Sequence, residues 1–82
     1  MSLPEILVDS RGHRCPVPTL RLRRALETAQ PGERVRLLAD DPLARIDVPH
    51  FVNSAGMTLI EQVDQPDGIS FLVEKAVGGS LA

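Results

Sequence analysis

Apolar positions recur along the chain with two different periods. Glu5-Ile6-Leu7-Val8-Asp9 is a short apolar run closed by turn residues, which predicts a first strand. Residues 9–14 then read as a loop, with Gly12 available for a positive-φ position. From Thr19 to Gln30 the period lengthens. Leu22, Ala25, Leu26 and Ala29 fall on one face of a helix, and Pro31-Gly32 ends it. This helix is expected to begin at Cys15 or Pro16, because proline is tolerated in a first turn whose N–H groups are unpaired anyway. Leu20 points away from the apolar face, toward Arg23 and Arg24.

Arg34 to Ala39 alternates again, with Val35, Leu37 and Ala39 on one side, and predicts a second strand. Asp40-Asp41-Pro42 has the chemistry of a helix start, an acidic cap followed by proline. Ala44, Val48, Phe51, Val52 and Ala55 form the stripe of a second helix ending near Gly56. Pro49 falls inside that stripe, so a kink or a break is expected there, with Asp47 as a new cap. Residues 57–63 and 69–75 read as two strands joined by the turn Gln65-Pro66-Asp67-Gly68. The order β-α-β-α-β-β predicts an α/β two-layer sandwich: a four-stranded mixed sheet with two helices on one face. The two strands flanking the first helix should run parallel if they share the sheet. Arg34 and Arg36 point to a solvated outer face.

Composition narrows the class. Eighty-two residues make one domain, with a core over about 5–76 and a frayed tail at 77–82. A net charge of −2 gives no global attraction to nucleic acid or anionic lipid. Two Phe, with no Tyr or Trp, leave little to stack on bases. No apolar run has the length of a membrane span, no secretory signal pattern precedes the first strand, and a single thiol suits a reducing compartment, so the expected location is the cytoplasm.

The candidate chemistry centres on that thiol. Cys15 stands in Arg11-Gly12-His13-Arg14-Cys15-Pro16-Val17-Pro18. It has no partner for an intramolecular disulfide, and none for a dithiol cycle within one chain. Residues 10–24 carry five Arg and no acid, and a helix is expected to start at the sulfur. Positive charge and a helix N-terminus both favour the thiolate, so the expected shift of the Cys15 pKa is downward. Pro16 and Pro18 have no N–H, which leaves the Val17 N–H as the expected donor to sulfur. Three alternatives stay open. Cys15 is a small buried hydrophobe in a regulatory or scaffold protein. The Arg-rich helix marks a nucleic-acid-binding module. Or His13, Cys15, Asp9 and His50 gather around a metal, although their spacing matches no structural zinc pattern.

The pattern Asp9-x-x-Gly12-x-x-Cys15-Pro16-x-Pro18 resembles the signature of the TusA/SirA-like sulfur-carrier family. Leu38-Ala39-Asp40-Asp41-Pro42, followed by Asp47-Val48-Pro49-His50-Phe51, resembles that family's second motif. The resemblance implies the same sandwich and a sulfurtransferase that carries sulfane sulfur as a persulfide on Cys15. It implies a donor, either a cysteine desulfurase or a rhodanese-like protein. It also implies an acceptor protein serving tRNA thiolation, molybdenum-cofactor assembly or sulfur oxidation. No cofactor or metal of the chain's own is implied. Asp9, Gly12, Arg14, Pro16, Val17 and Pro18 take the supporting positions in the loop and helix start. Arg11, Leu20, Arg21, Arg23 and Arg24 are the candidate partner-docking residues. Asp41, Pro42, Asp47 and Pro49 map onto the second helix. Two departures from the family pattern, Val17 between the prolines and Met57-Thr58 after Gly56, leave the branch of the family open.

Overall fold

The structure, a computed structural model, describes residues 5–14 and 16–76. Six elements follow in the expected order: β1 (Glu5–Asp9), α1 (Val17–Thr28), β2 (Arg34–Ala39), α2 (Ala44–Ser54), β3 (Thr58–Gln65) and β4 (Gly68–Glu74). The strands form one sheet in the order β1-β2-β4-β3. β1 runs parallel to β2, as a strand-helix-strand unit sharing a sheet requires. β4 is antiparallel to both β2 and β3. The architecture is therefore the two-layer α/β sandwich with a mixed sheet.

Alternation assigns the two faces of the sheet. Val35, Leu37 and Ala39 of β2 stand opposite Val73, Phe71 and Ile69 of β4, and all six are buried. Leu22 and Leu26 of α1 and Ala44, Val48 and Val52 of α2 complete the same core. Both helices thus cover one face, each through its apolar stripe. The other face carries Arg34, Arg36, Ser70 and Leu72. No helix covers it, yet Ser70 and Leu72 are almost fully shielded from solvent. Arg36 reaches across this face: its guanidinium donates to Glu5 on β1 (3.0 Å), Ser70 Oγ on β4 (2.7 Å) and Glu61 on β3 (3.4 Å).

Several boundaries differ from the sequence reading. α1 starts at Val17, with Pro16 as its cap residue, and ends at Thr28 rather than Gln30. Ala29 turns to extended backbone there, and its N–H still reaches the Ala25 carbonyl. α2 is not broken at Pro49. It runs through that residue, so Asp47 lies in the first turn instead of capping a new helix. Pro49 removes one internal hydrogen bond, but Val48 and Val52 anchor the turns on either side of it in the core. Tertiary packing outweighs the local breaker. The β3–β4 turn is also tighter than the four residues expected, because Gln65 and Gly68 already pair as strand residues. Gly68 has φ +148, and a Cβ there would collide with the backbone carbonyl of Ala39. Only glycine lets the hairpin press so close to the end of β2. The tail at 77–82 lies outside the described residues.

Candidate functional site

Because β1 and β2 are parallel, their C-terminal ends share one end of the sheet. The β1–α1 loop and the β2–α2 turn both leave from that end. The β3–β4 turn joins them, since β4 runs the other way. Cys15 follows Arg14 and precedes Pro16 in the first of these segments; its own placement lies outside the described residues. The surrounding residues are described and define its setting.

Three carboxylates anchor the loop, each from a different strand end. Asp9 accepts the Arg11 backbone N–H (3.1 Å) and its guanidinium (2.7 and 2.9 Å). Asp67, in the hairpin turn, takes the other side of the same guanidinium at 2.5 Å. Asp40, directly after β2, accepts the Gly12 N–H with both oxygens, at 2.9 and 3.0 Å. Gly12 has φ +89, the left-handed conformation that glycine adopts without strain. Inside the loop, His13 N–H donates to the Ser10 carbonyl. Two buried hydroxyls flank the Cys15 segment in sequence, Ser10 Oγ and Thr19 Oγ1, with no hydrogen-bond partner among the described residues.

The five arginines of residues 10–24 are engaged to different degrees. Arg11 is held between two carboxylates. The Arg11 side-chain and backbone N–H groups hold the Asp9 carboxyl down to about 2, and Asp9 in turn raises the Arg11 guanidinium. Arg21 donates to the Asp9 carbonyl (3.0 Å), and Arg23 pairs with Glu27 one turn along α1. Among the described residues, the side chains of Arg14 and Arg24 alone of the five have no hydrogen bond or ion pair. The Val17 N–H, expected as the donor to sulfur, instead donates to the Arg14 carbonyl at 2.9 Å. Pro16 and Pro18 behave as expected in the first turn, with Pro18 also buried against the core.

Between the loop and the β2–α2 turn lies an open cleft of about 440 Å³, lined by residues 12–14 and 40–43. Both helices also carry exposed apolar side chains. Leu20, singled out from the sequence, is 54% exposed, and Val17 is also exposed. Leu43 (55%) and Ile46 (68%), at the start of α2, were not singled out. Their signal was present in principle: on a helical wheel both fall off the stripe formed by Ala44, Val48 and Val52. Asp40 and Asp67 were missed for another reason. Their partners lie 28 and 56 residues away, and no local pattern reports such pairs. The acidic cap expected before Pro42 is Asp41; α2 starts later, with Leu43 as its cap residue, and the Leu43 N–H donates to Asp41 Oδ1 at 3.0 Å. His50 lies on α2 and is exposed.

Comparison with known proteins settles the family. Residues 6–75 match the model of the family described as sulfurtransferase TusA. The chain belongs to that family. It is 41% identical over 70 residues to a protein of Archaeoglobus fulgidus named "Putative sulfur carrier protein", an alignment covering 85% of this chain and 91% of that one. The crystal structure of a SirA-like protein from Desulfitobacterium hafniense superposes with a TM-score of 0.73 at 26% identity, covering 88% of this chain and 97% of the other. TusA-family membership makes sulfur transfer the class of chemistry. No helix among the described residues is long and apolar enough to cross a membrane.

Proposed function

We propose that this protein is a sulfur carrier that holds sulfane sulfur as a persulfide on Cys15 and passes it from a donor protein to an acceptor protein. The observation that carries the reading is the match to the sulfurtransferase TusA family over residues 6–75, a span that contains the only cysteine of the chain. The setting described above supports it. Arg14, next to the sulfur in sequence, and Arg24, further along α1, have no ion pair of their own, and both favour an anionic sulfur and an acidic partner.

The chemistry balances without an external oxidant. The Cys15 thiolate attacks the outer sulfur of a donor cysteine persulfide. A new S–S bond forms to Cys15, the donor S–S bond breaks, and the donor leaves as a thiolate. The acceptor thiolate repeats the attack on the sulfur now carried by Cys15, and Cys15 leaves as a thiolate. The donor class is a cysteine desulfurase or a rhodanese-like protein. The loop and α1 contribute Asp9, Gly12, Pro16, Val17 and Pro18 as the frame. Arg14, Leu20, Arg21 and Arg24 face the partner, joined by Leu43 and Ile46 at the start of α2. The reducing conditions that a free persulfide thiol needs are those of the cytoplasm.

The test measures docking and transfer side by side. Cys15→Ser is expected to bind a cysteine desulfurase as the wild type does and to accept no sulfur from it. Loss of neither would assign Cys15 a structural role and favour a scaffold protein.

A further inference from the structure

We infer that Asp40 is a positioning residue for the Cys15 segment: by holding the Gly12 amide it fixes how the β1–α1 loop stands against the β2–α2 turn. The inference rests on the sulfur-carrier reading. Four observations carry it.

Both carboxylate oxygens of Asp40 lie within 3.0 Å of the Gly12 nitrogen. No cation pairs with Asp40 among the described residues, and it caps no helix, since the N–H of the cap residue Leu43 is taken by Asp41. Its charge is therefore committed to one amide, three residues before the cysteine, in a charge-assisted bond stronger than a neutral one. Packing does not hold the loop at this point: a Cβ built on Gly12 would meet nothing within 4 Å. A polar tie is what keeps the residue at φ +89 in open space.

The other ties serve different neighbours. Asp9 and Asp67 hold Arg11 to β1 and to the hairpin turn. His13 and Val17 bond within the loop and helix start. The Gly12–Asp40 bond ties the loop to the β2–α2 turn. Those two segments are also the walls of the 440 Å³ cleft. The tie therefore helps to hold those two walls in their relative position, three residues before the cysteine in sequence. Attack on a persulfide requires the two sulfurs to meet in line, and a displacement of about 1 Å can cost on the order of a hundredfold in rate.

Three variants separate positioning from charge and from stability. Asp40→Asn removes the charge and keeps an oxygen for the Gly12 N–H. Asp40→Ala removes both. Asp40→Glu keeps the charge and moves the oxygens by one methylene. Each is compared with the wild type in two assays across pH: sulfur uptake from a cysteine desulfurase, and alkylation by iodoacetamide. Uptake and alkylation are expressed per folded molecule, with the melting temperature recorded beside them.

Positioning predicts sulfur uptake slowed by about tenfold or more in Asp40→Ala, a clear loss in Asp40→Glu, and near wild-type uptake in Asp40→Asn. Should Asp40→Ala fail to fold, the contrast between Asp40→Glu and Asp40→Asn decides the matter. Equal shifts of the alkylation pH profile in Asp40→Asn and Asp40→Ala, with Asp40→Glu unchanged, would make Asp40 an electrostatic residue and overturn the inference. A lower melting temperature with unchanged uptake per folded molecule would make it structural and overturn it too. If the wild type takes up no sulfur, the carrier reading fails on its own. The Asp40 assignment then stands or falls on alkylation alone: altered in Asp40→Ala and Asp40→Glu but retained in Asp40→Asn supports it, unaltered in all three overturns it.

Discussion

Arginine is used in opposite ways on the outer face of the sheet and in the loop and helix that follow β1. On the outer face every arginine is engaged. Arg34 reaches Glu74 on β4, and Arg36 reaches Glu5, Glu61 and Ser70 on the three other strands. Away from that face, Arg11 is neutralised by two carboxylates, while the side chains of Arg14 in the loop and Arg24 two turns along α1 have no partner among the described residues. The apolar residues differ as well. Leu72 on the outer face is buried, whereas Leu20 on α1 and Leu43 and Ile46 at the start of α2 are exposed. The proposed docking side is therefore marked by which groups are left unpaired, rather than by the count of basic residues.

The sharpest test of that contrast is charge reversal on each side. Arg14→Glu combined with Arg24→Glu is expected to lower sulfur-transfer efficiency with an acidic partner by about tenfold or more at low salt, through a slower encounter. The melting temperature should hardly move, because neither side chain supports another. Added salt should shrink the difference between variant and wild type. An equal loss from reversing Arg34 would erase the distinction between the two faces.

Arg36→Ala should behave conversely. It removes three polar contacts, and is expected to cost about 1–2 kcal/mol by urea denaturation. Transfer by the folded fraction should stay unchanged. Arg34→Ala, which breaks one exposed pair at 3.5 Å, should cost less than about 0.5 kcal/mol.

A smaller effect concerns the loop anchor. The folded Asp9 carboxyl titrates near 2, below the roughly 3.9 of an unfolded chain. Its stabilising contribution is therefore complete above about pH 4 and is lost as pH falls through about 2. In Arg11→Gln, carbon-detected NMR should find the Asp9 carboxyl back toward the ordinary range. An unchanged value would mean that Arg11 is not what holds it down.

Much of this molecule was legible in its sequence, and the remainder was hidden for definable reasons. The alternation of Val35, Leu37 and Ala39 and the stripe of Leu22 and Leu26 gave the elements and the core, because burial imposes the period of each element on its residues. Helix ends were less legible. Pro18 sits in the first turn as expected but its burial was not visible, and Pro49 looked like a breaker but is overruled by Val48 and Val52 in the core. Cys15 and its flanking arginines were visible as candidate chemistry. Which arginines are free was not visible, because Arg11 meets Asp67 and Gly12 meets Asp40 only after the strands are aligned. The parallel register, with Asp9 beside Leu38, is what brings the residues after each strand together.

The most direct test of the sulfur-carrier account is the intact mass of the reduced protein after incubation with a cysteine desulfurase, pyridoxal phosphate and cysteine, beside Cys15→Ser. The account predicts a gain of one sulfur atom in the wild type, reversed by dithiothreitol and absent from the variant. No gain in the wild type, or an equal gain in both proteins, would contradict it.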